Sequence, residues 1–164
     1  MTDEQLTQLS RDIGELLLAR HATVTTAESC TGGWIAKIIT DIAGSSAWFQ
    51  RGFVTYSNDA KQQMIGVSAQ SLAAYGAVSE EVVREMAQGA LQEAAADFAV
   101  SVSGIAGPGG GSDDKPVGTV WFGFATAQSE VLTQCCHFSG DREAVRRQAT
   151  AFALQTLSVQ ILKN

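Results

Sequence analysis

The sequence is short of cations and of long apolar runs, and each shortage argues against a class of protein. Eleven lysines and arginines stand against 17 aspartates and glutamates, for a formal net charge of −6. A protein that binds nucleic acid normally presents a basic face, so this balance argues against DNA or RNA as the partner. No apolar segment reaches the roughly 18 residues of a membrane span. We therefore expect neither nucleic acid nor a membrane as a partner.

Cysteine and histidine are also scarce, with three and two copies. An odd number of cysteines, two of them adjacent, argues against a disulfide framework, and no spacing is typical of a zinc site. The residues concerned are His21, Cys30, Cys135, Cys136 and His137. The first five residues are polar and acidic, unlike a signal peptide. We expect a cytoplasmic protein that holds neither a metal nor a cofactor.

What remains is an ordinary globular composition in 164 residues, 45% of them hydrophobic, which fits a single domain over residues 1–164. Helical and alternating patterns follow each other along the chain. The predicted helices are 3–20, 33–42, a short one through Lys61 to Ile65, 68–75, 80–95 and 141–162. The predicted strands are 22–27, 49 or 52–56, 97–103, 117–125 and 131–138. This order predicts a three-layer α/β/α domain with a mixed central sheet.

The turn around Ser29 is the first candidate site. It joins a β-branched strand to a helix, so backbone N–H groups and the positive end of the helix dipole face its hydroxyl. Such a place suits an anion, or an oxyanion beside a nucleophile. A simple N-cap serine is the alternative. The glycines Gly32 and Gly33 weaken that alternative, because glycine in a first turn costs helix stability and usually permits close approach of a ligand.

Tyr56 and Lys61 form the second candidate site. Tyr56 ends an aromatic strand, and Lys61 lies near the start of the next helix. A lysine at a helix N-terminus lies against the dipole, which disfavours its charged form and lowers its pKa toward that of a general base. A surface lysine and a half-buried strand tyrosine are the alternatives.

Cationic and glycine-rich segments form the third candidate. Residues 104–111 are a glycine loop that lacks the phosphate-loop pattern and precedes no clear helix. It is either a flexible connection or a wall over a ligand. Arg142 and Arg146 are four residues apart on one helix face and could bind a phosphate or carboxylate, unless that face is simply solvated.

Six motifs, read together, closely resemble the C-terminal domain of the CinA family, and especially its stand-alone nicotinamide-nucleotide amidohydrolases. The resemblance covers essentially the whole chain in order. The motifs are TAESCTGG (26–33), FVTYSNDAK (53–61), GAVS (76–79), SGIAGPGG (103–110), KPVGTV (115–120) and FSGDR (138–142).

The resemblance implies an α/β/α enzyme that converts nicotinamide mononucleotide to nicotinic acid mononucleotide and ammonia without a metal. The catalytic serine, lysine and tyrosine of the family match Ser29, Lys61 and Tyr56. We therefore expect Ser29 to be the nucleophile, Lys61 the base, and Tyr56 a group that orients Lys61 or relays a proton.

Further site residues follow from this expectation. Backbone N–H groups of Cys30, Thr31, Gly32 and Gly33 are expected to hold the oxyanion. The expected contacts to the ribose phosphate are Gly104, Gly107, Gly109, Arg142 and Arg146. An amidase for another amide, a non-catalytic nucleotide-binding or regulatory domain, and a homodimer that completes the site all stay open.

Overall fold

Five strands form a mixed sheet at the centre of the protein, which is described by a computed structural model over residues 1–163. The strands are β1 (Val24–Glu28), β2 (Phe53–Val54), β3 (Phe98–Gly104), β4 (Thr119–Thr126) and β5 (Ser129–His137). Their order across the sheet is β2-β1-β3-β4-β5. β1 runs parallel to β2 and β3, whereas β4 is antiparallel to both β3 and β5. The predicted mixed sheet is confirmed.

Six α-helices cover both faces of this sheet. They are α1 (Asp3–Ala19), α2 (Trp34–Thr40), α3 (Asn58–Ile65), α4 (Ala69–Tyr75), α5 (Glu80–Ala94) and α6 (Arg142–Thr156). α1, α2 and α6 share one apolar core with alternate residues of β3 and β4, including Val100 and Phe122. α5, with α3 and α4 beside it, packs on the opposite face. The protein therefore has the predicted α/β/α layers, because each strand buries side chains on both of its faces.

Helix α5 lies very close to the sheet because the side chains beneath it are small. The Ser101 hydroxyl donates to the Val83 carbonyl of α5 at 2.6 Å. A Cβ on Gly123 would lie 2.6 Å from that same oxygen. This close contact fixes the α5-facing side of β3, on which a later residue, Ser103, also lies.

The predicted strand of residues 49 or 52 to 56 is wrong in its length. β2 is an edge strand of two residues, paired with β1 only through Ala27 with Phe53 and Glu28 with Val54. Phe49 forms only an isolated bridge with Val24. The Thr55 N–H makes the last hydrogen bond to β1, at the Glu28 carbonyl. The Thr55 carbonyl instead accepts from Lys61 of α3, so the chain leaves the sheet at this residue.

The other element predictions are confirmed to within a few residues at their ends. The last helix continues as predicted to Leu162, but its final six residues, Leu157–Leu162, are π-helical. Among the helices of residues 1–163, none combines the length and apolar character needed to cross a bilayer.

The topology brings the carboxyl ends of the three parallel strands to one end of the sheet. The connection after β1 begins with α2 on one face, and the connection before β3 ends with α5 on the other. Connections that leave the carboxyl ends of neighbouring strands toward opposite faces of the sheet open a crevice between them. α/β proteins bind ligands in such a crevice.

Candidate active site

A cleft of about 270 Å³ lies at this end of the sheet, and it is lined by half of the predicted site residues, including Ser29, Lys61 and Tyr56. Eleven residues line it. They are Ser29, Cys30, Tyr56, Asn58, Lys61, Ala77, Val78, Ser103, Gly104, Ala106 and Arg142. These residues come from the ends of β1 and β3, the segment after β2, the start of α3, the chain before α5 and the start of α6. Its mixed polar and apolar lining and its size suit part of a small organic molecule.

Ser29 and Lys61 meet at the bottom of the cleft. Ser29 directly follows β1, where its N–H donates to the Val102 carbonyl at 3.0 Å. Lys61 lies one turn into α3, and its Nζ is 2.9 Å from the Ser29 Oγ. Both side chains are buried, with 8% and 1% of their surface exposed. The two residues, 32 positions apart in the chain, therefore form a hydrogen-bonded pair of the kind a base and a nucleophile need.

Two backbone carbonyls hold the Lys61 amine toward Ser29. The Thr55 carbonyl accepts from Nζ at 2.8 Å, and the Tyr56 carbonyl accepts at 3.5 Å. An ammonium group has three N–H donors, and all three directions are occupied. In the neutral amine, two N–H groups remain on the carbonyls and the lone pair points at the Ser29 hydroxyl.

Burial lowers the pKa of Lys61 to about 8. Removing the ammonium from water disfavours its charged form. Within residues 1–163 no carboxylate forms an ion pair with this amine. The lowered pKa was expected from dehydration and from a helix terminus, and the dominant cause in the structure is desolvation.

The turn after Ser29 is built on a buried glutamate that the sequence analysis did not identify. Helix α2 begins after Gly33, whose φ of 102° is left-handed, so Ser29 is not its N-cap. The Glu28 carboxylate instead accepts the N–H groups of Ile35 and Ala36 at 2.9 and 3.0 Å, and the Thr31 hydroxyl at 2.6 Å. Burial raises the pKa of Glu28. The signals available in the sequence were its position immediately before the candidate serine and its place in the TAESCTGG motif.

These contacts separate the four predicted oxyanion donors into two groups. The Gly32 N–H donates to the Ser29 carbonyl at 3.0 Å, and the Gly33 N–H faces the Glu28 carboxylate and acts to lower its pKa. Within residues 1–163, the N–H groups of Cys30 and Thr31 donate to no other residue. Of these two residues, Cys30 lines the cleft, whereas Thr31 is fully buried and does not.

Cys30 lines the cleft but has the properties of a buried thiol. Only 6% of its surface is exposed, and burial raises its pKa to about 11. A thiol with this pKa is almost fully protonated at neutral pH and is a poor nucleophile. Ser29, which contacts an amine, is the better candidate.

Tyr56 and Arg142 form the rim of the cleft. The Tyr56 side chain is 61% exposed, and its hydroxyl accepts from the Arg142 guanidinium at 3.0 Å. Arg142 also donates to the Gly107 carbonyl at 2.8 Å. Tyr56 thus contacts Lys61 through its backbone carbonyl, whereas its hydroxyl points to Arg142. The predicted role of the tyrosine hydroxyl in orienting the lysine has no direct contact to support it.

The remaining predicted ligand residues divide between the cleft and other places. Gly104 lines the cleft, whereas Gly109 is exposed and has no atom within 4 Å of a would-be Cβ. Arg146 lies behind the Ser29 turn, where it donates to the carbonyls of Cys30 and Thr31 at 3.0 and 3.3 Å. Arg146 therefore braces the turn, and Arg142 is the arginine that lines the cleft.

A larger cavity of about 640 Å³ lies at the opposite end of the sheet, near Arg20, Asp97 and Gln128. It contains neither the Ser29–Lys61 pair nor the free N–H groups beside it. Chemistry, and not size, therefore identifies the smaller cleft as the candidate active site.

Known proteins match the chain over most of its length. The model of the CinA C-terminal domain matches residues 6–161. The chain is 71% identical to nicotinamide-nucleotide amidohydrolase PncC of Escherichia coli K12 over 164 residues, covering 100% of this chain and 99% of that protein. It is 52% identical to the Pseudomonas putida protein of the same name, covering 94% and 96% of the two chains.

Solved structures resemble the fold equally well. The competence/damage inducible protein CihA of Agrobacterium tumefaciens is 44% identical with a TM-score of 0.93, over 100% of this chain and 98% of that one. The competence damage-inducible protein A of Klebsiella pneumoniae is 42% identical with a TM-score of 0.92, over 97% and 98%. The chain belongs to the CinA C-terminal domain family.

Proposed function

We propose that this protein hydrolyses the carboxamide of nicotinamide mononucleotide to nicotinic acid mononucleotide and ammonia, with Ser29 as nucleophile and Lys61 as base. The observation that carries the proposal is the buried 2.9 Å contact between the Lys61 Nζ and the Ser29 Oγ. Relatives that match the chain from end to end are named for this activity, which supports a carboxamide hydrolase. Full-length coverage at this identity favours enzyme function over a non-catalytic regulatory domain.

Acylation begins with the neutral form of Lys61. Its lone pair accepts the Ser29 proton while the Ser29 Oγ attacks the carboxamide carbon, and the C=O electron pair moves onto oxygen. Lys61, now an ammonium group, gives a proton to the amide nitrogen. The C–N bond breaks, ammonia leaves, and an ester to Ser29 remains.

The oxyanion lies at the backbone N–H groups of Cys30 and Thr31. These donors are held in place before the reaction, because Glu28 anchors the following helix and Arg146 binds the two carbonyls of the same turn. Preorganised donors of this kind stabilise a transition state by roughly 3–4 kcal/mol each. Water then attacks the ester while Lys61 accepts its proton, the bond between the acyl carbon and the Ser29 Oγ breaks, and Lys61 returns the proton to that oxygen as the product acid forms.

The nucleotide end of the substrate extends toward the rim. Arg142 carries the positive charge there, and its side chain is oriented by the Tyr56 hydroxyl and the Gly107 carbonyl. Guanidinium donors that remain free suit phosphate oxygens. We assign the phosphate contact to Arg142 and a wall of the cleft to Gly104, whereas Arg146 acts on the Ser29 turn.

The setting of the enzyme is part of the proposal. The three free cysteines suit a reducing cytoplasm. A single domain and a small-molecule substrate without nucleic acid follow from the sequence, and a homodimer stays a prediction. Sedimentation analysis of the full chain tests the last of these directly.

The test is ammonia release from nicotinamide mononucleotide, with both nucleotides separated by chromatography. Ser29→Ala and Lys61→Met should each lower kcat by at least about 10³-fold, in line with losses at nucleophile and base positions. Ser10→Ala, a buried serine of α1 without a partner, and Lys37→Met, an exposed lysine, are matched controls.

Substantial activity in either of the first two variants would overturn the Ser29–Lys61 assignment. A panel of other carboxamides, measured with the wild type, separates this activity from that of a different amidase. Binding of the mononucleotide without turnover would instead indicate a regulatory domain.

A further inference from the structure

Ser103 lies beside Ser29 on the neighbouring strand. β1 and β3 are parallel and pair Ala27 with Ser101 and Glu28 with Val102, so Ser29 follows in register with Ser103. Side chains alternate along a strand, and both residues fall on the face that carries Ala27 and Ser101. Both also line the cleft. Adjacent strands are about 4.8 Å apart, so the two hydroxyl-bearing side chains are immediate neighbours.

The Ser103 residue is almost fully buried, and its hydroxyl is unpaired within the fold. Only 1% of the residue is exposed, and within residues 1–163 its hydroxyl has no hydrogen-bond partner. Ser101, two residues earlier on the same face, is equally buried but donates to the Val83 carbonyl at 2.6 Å. Buried polar groups are normally paired, so an unpaired hydroxyl on the wall of a cleft points to a ligand.

Its position relative to Ser29 indicates which part of the substrate it meets. Lys61 reaches Ser29 from the β2 side, where it bonds to the Thr55 carbonyl. Ser103 belongs to β3, on the other side of β1. In the proposed mechanism, the backbone N–H groups of Cys30 and Thr31 donate to the carbonyl oxygen. The amide nitrogen is the remaining polar atom at the reacting carbon, and the hydroxyl of Ser103 is the acceptor still available.

We propose that the Ser103 Oγ accepts a hydrogen bond from the N–H of the substrate carboxamide and is thereby a specificity-determining residue for amides. This inference rests on the proposed function. A primary amide whose N–H donors leave water on binding must pair them or lose the free energy of their hydration. Ser103 supplies that pairing at the leaving group, so it favours a leaving group that carries N–H.

The test compares two substrates that differ only at the leaving group. Nicotinamide mononucleotide carries an NH₂ group, and the methyl ester of nicotinic acid mononucleotide carries an OCH₃ group without N–H donors. Ser103→Ala should lower kcat/KM for the amide about tenfold, as expected for one lost hydrogen bond. It should change kcat/KM for the ester by less than about twofold, so the amide-to-ester ratio falls.

Ser101→Ala is the matched control. It removes a hydroxyl of the same strand face, but one that is bonded within the fold. It should lower the midpoint of thermal unfolding and leave the amide-to-ester ratio unchanged. Ser103→Ala should leave the thermal midpoint unchanged, because its hydroxyl has no partner to lose.

Two results would overturn the inference. One is an equal loss for amide and ester in Ser103→Ala, which would indicate a general structural effect. The other is no loss for either substrate. A wild-type protein that releases no ammonia from the mononucleotide would instead overturn the proposed function, and this inference with it, so the two failures are distinguishable.

Discussion

The dependence of activity on pH tests the base assignment most sharply. If neutral Lys61 removes the Ser29 proton, kcat/KM must follow the fraction of neutral amine in the free enzyme. With a pKa of about 8, about one molecule in eleven is neutral at pH 7, against about one in 2500 for a lysine at its ordinary pKa of about 10.4. Burial of Lys61 thus increases the reactive population about 200-fold, equivalent to about 3 kcal/mol.

The expected profile has a simple shape. Below pH 8, kcat/KM should rise about tenfold for each pH unit, and it should level off above about pH 8 to 9. The phosphate of the substrate titrates near pH 6, so the informative range is pH 6.8 to 10. Product formation in quenched samples, measured by chromatography, avoids coupling enzymes with their own pH dependence.

The control for this experiment is an exposed lysine. Lys37 is paired with Asp41 on the surface of α2, and Lys37→Met should show the profile of the wild type. A limb that keeps rising to pH 10 would refute a base tuned by burial. A rate independent of pH between 7 and 9 would refute Lys61 as the base altogether.

Three further outcomes are expected. The lowered pKa of Lys61 makes the wild type gain stability as pH rises from about 8 toward 10.4. The free energy of unfolding of Lys61→Met, relative to that of the wild type, should therefore fall by about 2.5 kcal/mol between pH 7 and 10 in urea unfolding. A difference that stays constant with pH would contradict the lowered pKa. Glu28→Gln should cost about 1–3 kcal/mol of stability and lower kcat, because the glutamine NH₂ replaces one of the two acceptor oxygens of the glutamate. An unchanged free energy of unfolding would argue against the role of Glu28 in holding the turn. Gly89→Ala should destabilise the protein by several kcal/mol, because its Cβ would lie 1.7 Å from the Ile65 carbonyl oxygen. Gly109→Ala should leave thermal unfolding unchanged, because its Cβ would have no neighbouring atom within 4 Å. Equal unfolding midpoints for the two variants would refute the close packing of α3 on α5.

Much of the fold was predictable because its elements carry their own patterns. Helix α5 shows an apolar stripe that includes Val82, Val83 and Met86, and Ser79 caps its start. β3 and β4 are buried on both faces, and β3 was identified as a strand by its alternating pattern. β2 was the exception, because an edge strand of two residues is defined by its partner β1 and not by its own sequence.

The candidate site was predictable in part for a different reason. Ser29 and Lys61 lie in motifs that resemble a known family, and the glycines after Ser29 signal an unusual backbone. Glu28 and Ser103 also lie in two of these motifs, but no pattern singled them out as site residues. A buried glutamate and a buried serine look like any others in a sequence, and their roles depend on the strand register and on the end of α2.

The sequence by itself determined the element order, the mixed α/β architecture and the candidate pair of Ser29 and Lys61. Only the tertiary structure decided how that pair is tuned and what surrounds it. It separated Arg142, which lines the cleft, from Arg146, which braces the turn, although both lie on one helix. It also placed the Lys61 amine between two carbonyls, out of water. The physical reason is that burial and hydrogen-bond geometry are properties of several chain segments together, and no local pattern encodes them.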